Sequence, residues 1–211
     1  MHNQDVDSII SNIDIKSNMT IETICKNIYE LAYKVLEDSF IMIDTKIIEK
    51  VVTSIIEANH IVFFGTGASG ISARYAYSRF FRTGINCLFE NDITLAKMHI
   101  SLLKKHDVIF AISSSGRTDS VVESAKLAKK NGVTVISLSD FAISPLSKIS
   151  DLNLYTTPRS SGTIMNIDMP LLSGQITIID LLYTCTYLRI GDKAIQSYEL
   201  TKESSNAEKI K

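Results

Sequence analysis

Two short segments hold most of the side chains that could do chemistry. Ser113-Ser114-Ser115-Gly116-Arg117-Thr118 places four hydroxyls and a glycine within six residues. Hydroxyls donate and accept, and glycine lets the backbone turn tightly so that successive N–H groups can face one point. Converging neutral donors of this kind match the oxygens of a phosphate. A serine-rich helix cap would have the same composition, and the residues alone leave that alternative open. No lysine occupies a Walker position, so a nucleoside triphosphate is not indicated. The other segment, Gly65-Thr66-Gly67-Ala68-Ser69-Gly70, has the spacing Gly-x-Gly-x-x-Gly. It is not a dinucleotide fingerprint, because Leu88 and Phe89 precede Glu90 where an acidic residue would have to close the next strand and hold a ribose. A tight turn without a ligand fits the same glycines.

Candidate acids and bases are scattered. Glu90 and Asp92 follow a predicted strand and can reach a ligand hydroxyl or simply form a charged loop. His99 lies on a helical stretch between Met98 and Ile100, and His60 and His106 each sit just before a strand. Glu123 and Lys126 fall within a helix and are expected to face water. No His, Asp or Glu cluster has metal-ligand spacing, and neither a metal nor a cofactor is implied.

The elements that must position these loops follow from apolar periodicity. Ile21, Ile24, Ile28, Leu31 and Val35 form the stripe of an amphipathic helix. Asp44 or Thr45 can cap a second helix that buries Ile47, Ile48, Val51, Val52, Ile55 and Ile56. Ile61 to Phe64 is a continuous apolar run ending in Gly65, the pattern of a strand buried on both faces. Further strands are expected at 86–89, 107–113, 133–138 and 152–155. Helices are expected at 69–83, 93–103, 119–130 and 171–188. Asn131-Gly132 closes the third of these as a C-cap pair. Alternating strands and helices make right-handed crossovers, hence an α/β sandwich of three layers around a five-stranded parallel sheet. Ligands of such sheets bind beyond the carboxyl ends of the strands. Both unusual loops fall there.

Composition narrows the class. The chain has 211 residues, 45% hydrophobic and 21% charged, with net charge −1. Disorder is excluded, and near-neutral charge argues against binding nucleic acid through its backbone. Cys25, Cys87 and Cys185 stand far apart, which is neither a disulfide framework nor a zinc site and suits a reducing cytosol. The start, MHNQDVDS, lacks signal-peptide character, and no stretch approaches the roughly 18 apolar residues of a membrane span. A cytoplasmic protein without a membrane partner is expected. Residues 1–19 read as a polar leader, 20–195 as the domain and 196–211 as a charged tail, of which 200–211 is expected to fray.

GTGASG followed by SSSGRT resembles the sugar isomerase (SIS) phosphosugar-binding domain, a flavodoxin-like α/β sandwich, and the likeness extends over nearly all of residues 20–190. VISLSDFAISPLSKISDLNLYT is similar to that family's fourth strand, its SPLxKxAD turn and its fifth strand. IDTKIIEKVVTSIIEANHIVFFGTGAS is most similar to the ligand-sensing half of RpiR-type transcriptional regulators. The resemblance implies a phosphorylated sugar or amino-sugar derivative as ligand, and a homodimer or higher homo-oligomer. It implies that Ser69, Ser113, Ser115 and Thr118 contact the phosphate, with Ser114 and the Gly116 backbone nearby, and that Gly65 and Gly67 shape the first loop. Arg159, Ser160 and Ser161 fall where RpiR-type sensors often carry an Arg-Ser pair near the sugar.

The departures favour a sensor over an enzyme. Family isomerases usually have glutamate after the glycine of the serine loop, where this chain has Arg117. Isomerisation needs a group that moves a proton, and arginine stays protonated. Arg117 can instead give a forked contact to an anion, or lie in solvent at a helix start. Gln175 and Asp180 resemble the family's Q…D helix and are expected either to brace the loop after the fifth strand or to lie at a subunit interface. Leu171 and Leu172 replace a usual Ser-Arg pair. RpiR-type regulators also carry an amino-terminal helix-turn-helix domain of about 80 residues, for which there is no room before Ile21, so no direct DNA binding by this chain is expected. The alternative remains a phosphosugar isomerase using Glu90, Asp92 or His99.

Overall fold

Helix α1 (Ile21–Ile41) is capped by Thr20, whose Oγ1 accepts the Thr23 N–H at 3.2 Å. It buries Leu31, Val35 and Ser39, so the four-residue spacing carries the helix past the expected end at Val35. Asp44 caps α2 (Thr45–Glu57) by accepting from Lys46 N–H at 2.8 Å, and α2 buries Ile48, Val51, Val52 and Ile55. The computed structural model describes residues 19–157, 163–164, 167–168 and 172–206.

Five strands, β1 (Ile61–Gly65), β2 (Cys87–Phe89), β3 (Val108–Ile112), β4 (Thr134–Asp140) and β5 (Leu152–Thr156), pair in parallel in the order β2-β1-β3-β4-β5. Phe63 of β1 stands opposite Phe89 on one side and Phe110 on the other. Every residue of β1 and β3 is buried, as a strand with covered faces requires. Side chains alternate between two layers. Ile61, Phe63, Phe110 and Leu138 pack under α2, α3 (Ala68–Phe80) and α7 (Ser173–Ile190). Val62, Phe64, Ile109 and Val135 pack under α4 (Ile93–Leu102), α5 (Asp119–Lys130) and α6 (Pro145–Ile149). The expected three-layer sandwich is therefore observed.

Connectivity decides where a ligand can sit. From β1 the chain crosses through α3 to the flank strand β2, then through α4 to β3 on the opposite side of β1. The loops after β1 and β3 thus diverge from neighbouring strands, which is the topological switch point.

Three features depart from the sequence reading. The SPLSKIS stretch, expected as a turn, forms the short helix α6, closed by a capping box between Ser144 and Ser147. The charged segment expected to fray from residue 200 is helical as far as Asn206: α8 spans Asp192–Asn206. Its sparse apolar residues suffice because Ala194 is fully buried and Arg82, in the 3-10 turn Phe81–Thr83, stacks 4.0 Å from the Tyr198 ring centre. Arg82 Nε also donates to Thr201 Oγ1 at 3.2 Å. Finally, a short antiparallel pair, β6 (Thr163–Ile164) and β7 (Ile167–Asp168), precedes α7. No described helix is long and apolar enough to cross a membrane.

Candidate functional site

The loop after β3 is held open by its own hydroxyls. The Ser113 N–H donates to Leu138 O at 3.1 Å and extends the sheet by one residue. Ser113 Oγ and Thr118 Oγ1 lie 2.9 Å apart and share a hydrogen bond across the loop. Ser115 is exposed, and its Oγ accepts the Arg117 N–H at 3.2 Å. Thr118 is the N-cap of α5, but its side chain makes no capping bond, so the first-turn N–H groups of α5 are left without one. Gly116 has φ +60, and a Cβ there would lie 2.2 Å from Ser144 Oγ. Only glycine meets both demands.

The loop after β1 is equally constrained. A Cβ on Gly65 would lie 2.7 Å from Ser69 O, so glycine lets α3 start directly against the strand end. Gly67, at φ +57, is the N-cap of α3 and supplies no side chain. Ser69 in the first turn is buried, and its Oγ accepts the Ser114 N–H at 3.3 Å. That bond ties the two loops together across the switch point. On the β2 side, Gly67, Arg74, Phe89 and Asn91 line a cleft of about 230 Å³.

Helix α7 adds the third member. Gln175, 3% exposed, donates from Nε2 to Ser114 Oγ at 3.0 Å, while its Oε1 has no partner. Gln175 therefore braces the loop after β3, while most of the loop after β5, which it was expected to brace, lies outside the described residues. Asp180 is bound within the chain too, accepting from Tyr75 Oη at 2.7 Å and lying 3.2 Å from Arg79 Nε. Burial and this bond hold the Tyr75 hydroxyl above its ordinary pKa.

Eight of the expected residues, Gly65, Gly67, Ser69, Ser113, Ser114, Ser115, Gly116 and Thr118, lie in the two strand-end loops and the helix starts they feed. Arg159, Ser160 and Ser161 lie outside the described residues. Arg117 is exposed. The possible bases are engaged or remote: Glu90 Oε1 accepts from Asp92 N–H at 3.0 Å, Asp92 caps α4 through Leu95 N–H at 2.8 Å, and His99 is exposed on α4. Arg74 and Asn91 were not foreseen. Arg74 stands one helical turn beyond Gly70, and that offset was the available signal.

The SIS domain family matches residues 54–179, and the chain belongs to it. The transcriptional regulator HexR of Escherichia coli is 32% identical over 196 residues, covering 92% of this chain and 66% of HexR. The uncharacterized helix-turn-helix regulator YbbH of Bacillus subtilis is 31% identical, covering 81% of this chain and 60% of YbbH. The chain thus spans roughly two thirds of the length of these relatives. Among solved structures, Vibrio vulnificus NanR complexed with ManNAc-6P superposes with TM-score 0.79 at 30% identity, over 89% of this chain and 70% of NanR. The sugar isomerase domain of an RpiR transcription factor from Sphaerobacter thermophilus gives TM-score 0.77 at 19% identity, over 86% of this chain and 99% of that domain, a likeness of fold.

Proposed function

We propose that this chain binds a phosphorylated sugar or amino-sugar derivative at the switch point and serves as the ligand-sensing part of an RpiR-type transcriptional regulator. The carrying observation is the convergence of two uncapped helix starts, α3 and α5, with Ser69, Ser113 and Thr118 around one strand-end junction. Free N–H groups at two helix starts, with hydroxyls between them, suit the oxygens of a phosphate. NanR is complexed with ManNAc-6P on a related fold, which supports a phosphosugar here. Sensing proceeds by population shift: the ligand favours the arrangement in which both loops grip it, and an attached DNA-binding part responds. Such a protein works in the cytoplasm.

The sensor acts as a homodimer or higher homo-oligomer. The outer face of α1 supports this, with Tyr29 71% and Phe40 74% exposed. Contiguous apolar surface of this kind marks an interaction face.

The test is a thermal-shift panel of sugar phosphates, each beside its free sugar and inorganic phosphate. A binder of the native state raises the midpoint with its occupancy. Ser115→Ala combined with Thr118→Val should abolish the shift with phosphorylated sugars while the ligand-free midpoint stays within a few degrees. An unchanged shift in that double variant would remove the phosphate from this loop. A turnover assay on whichever compound binds separates sensor from isomerase.

A further inference from the structure

We propose that the cleft over the end of β2 is a second anion subsite, in which Arg74 and Asn91 hold a carboxylate of the ligand, so that the chain reads the phosphate ester of a sugar acid. The inference rests on the phosphosugar reading above and names the group carried at the end away from the phosphate.

The arginines of this chain fall into two sets. Arg79 lies 3.2 Å from Asp180 and 4.2 Å from the centre of the Tyr183 ring, Arg82 covers Tyr198, and Arg189 pairs with Glu49. Among the described residues only Arg74 and Arg117 have no hydrogen bond, ion pair or ring contact. Both stand at the switch point, and Arg74 opens on a cavity. That cleft, of about 230 Å³, shares Gly65, Thr66 and Gly67 with the site already described and continues to Asn91, whose amide is likewise unengaged among the described residues. Its walls are apolar, with Phe89 at the end of β2 and the exposed side chains of Ile71 and Ile93. A cation and an amide therefore face one small hollow whose apolar surround strengthens any charge-assisted bond made there.

This arrangement selects a chemical class. The guanidinium fork fits a carboxylate through two parallel N–H···O bonds, and the Asn91 amide can add a further donor. One guanidinium balances one carboxylate, whereas a second phosphate would bring a charge of about −1.5 to −2. Glu90 and Asp92 flank Asn91 and oppose that larger charge. Neither competes for Arg74: they accept backbone N–H groups at 3.0 and 2.8 Å, and neither lines the cleft. A neutral end would leave the guanidinium unmatched. The spacing agrees as well. The serine loop follows β3 and the cleft lies over β2, on either side of β1. Neighbouring strands are about 4.8 Å apart, so the two anionic groups sit roughly 5–10 Å from one another, the reach of a five- or six-carbon chain.

The experiment is calorimetric titration of the whole chain, Arg74→Gln and Arg74→Lys with inorganic phosphate, glucitol 6-phosphate, 6-phosphogluconate and fructose 1,6-bisphosphate. Glucitol 6-phosphate and 6-phosphogluconate are open chains of one length that differ at C1, an alcohol against a carboxylate. The unaltered chain should bind 6-phosphogluconate about tenfold or more tightly than glucitol 6-phosphate, and Arg74→Gln should remove most of that preference. Glucitol 6-phosphate and inorganic phosphate should change less than about twofold. Arg74→Lys keeps the charge without the fork and should recover only part of the loss. The ligand-free midpoints should stay within a few degrees, because Arg74 engages nothing in the chain. A large fall in both variants would assign Arg74 to the fold and overturn the inference. Equal affinity of the unaltered chain for the two open-chain phosphates would overturn it, as would equal losses in Arg74→Gln. Tightest binding of the bisphosphate, lost in Arg74→Gln, would refute the carboxylate. Failure of the unaltered chain to bind any of the sugar phosphates would strike the phosphosugar reading, and the subsite with it.

Discussion

Replacing Gly116 by alanine tests how the serine loop is held. Two separate costs arise at this residue. Its φ of +60 is a left-handed conformation that costs a side-chain-bearing residue about 1 kcal/mol. The added Cβ would lie 2.2 Å from Ser144 Oγ and 2.6 Å from Ser144 Cβ. The hydroxyl can rotate away, but the Cβ is fixed to the backbone, so the loop or the start of α6 must shift. Overpacking of this kind costs roughly 1–3 kcal/mol. Ser144 also caps α6 through Ser147 N–H at 3.1 Å, so its displacement adds to the loss. Together about 3 kcal/mol is expected, a fall of about 6–12 °C in midpoint for a chain of this length. Urea denaturation of Gly116→Ala, Ser144→Gly and the double variant separates the terms. Ser144→Gly removes both contacting atoms while glycine remains a tolerable N-cap, so the double variant should recover about 2 kcal/mol relative to additivity. The conformational cost should persist. Strict additivity of the two substitutions would refute the idea that Ser144 dictates glycine at this position.

At Gly84, with φ +82, an added Cβ would lie 2.5 Å from Ser197 Oγ of α8. Gly84→Ala should cost about 1–2 kcal/mol and speed tryptic cleavage within 192–206, whereas unchanged cleavage would mean that α8 does not rest on this turn. Burial pushes the Cys87 thiol up to about 12, while Cys25 is exposed. Since the thiolate is the nucleophile, a disulfide reagent at pH 8 should label Cys25 first, and Cys87→Ser should leave the fast phase untouched. Arg189 Nη2 donates to Glu49 Oε2 at 2.7 Å, and this bond holds the Glu49 carboxyl below its ordinary range. A depressed carboxyl stabilises the fold above its unfolded pKa and loses that effect as pH falls through its folded value. The midpoint difference between the unaltered chain and Arg189→Ala should therefore shrink as pH falls below the ordinary carboxylate range, and a difference that does not change with pH there would exclude this pair as its source.

The sheet was legible in the sequence because its strands are buried on both faces. Ile61 to Phe64 and Val108 to Ile112 are unbroken apolar runs whose short length and flanking glycine or serine loops suit a covered strand better than a buried helix. The two loops were legible because glycine and serine gather where a strand hands over to a helix. What escaped depended on contacts between distant residues. Gln175 and Ser114 meet across 61 positions, so the sequence could show a buried polar residue but not which loop it would brace. Helix α8 escaped for the opposite reason. Its composition is that of a solvated tail, and its hold comes from Arg82 lying over Tyr198 and from one buried alanine. Few apolar residues are enough when a cation and an aromatic ring are brought together by the fold.

The treatment of helix starts separates binding from mere folding. Four of the five helices α3 to α7 follow a strand directly, at the same end of the same sheet. Asp92 caps α4 and Ser144 caps α6 through their side chains, and Thr20 and Asp44 do the same for α1 and α2. Helices α3, α5 and α7 have no such bond, although Thr118 at the start of α5 carries a hydroxyl able to make one. That hydroxyl is turned to Ser113 instead. A missing cap costs about 1 kcal/mol, so a chain selected for stability alone would have little reason to omit three while keeping four. The omissions are grouped in space: α3 and α5 flank the switch point, and α7 reaches the same loop through Gln175. Helices α4 and α6, which follow β2 and β4, are finished by side-chain caps. Leaving the first-turn donors free at the switch point makes sense when the oxygens that complete them arrive with a ligand.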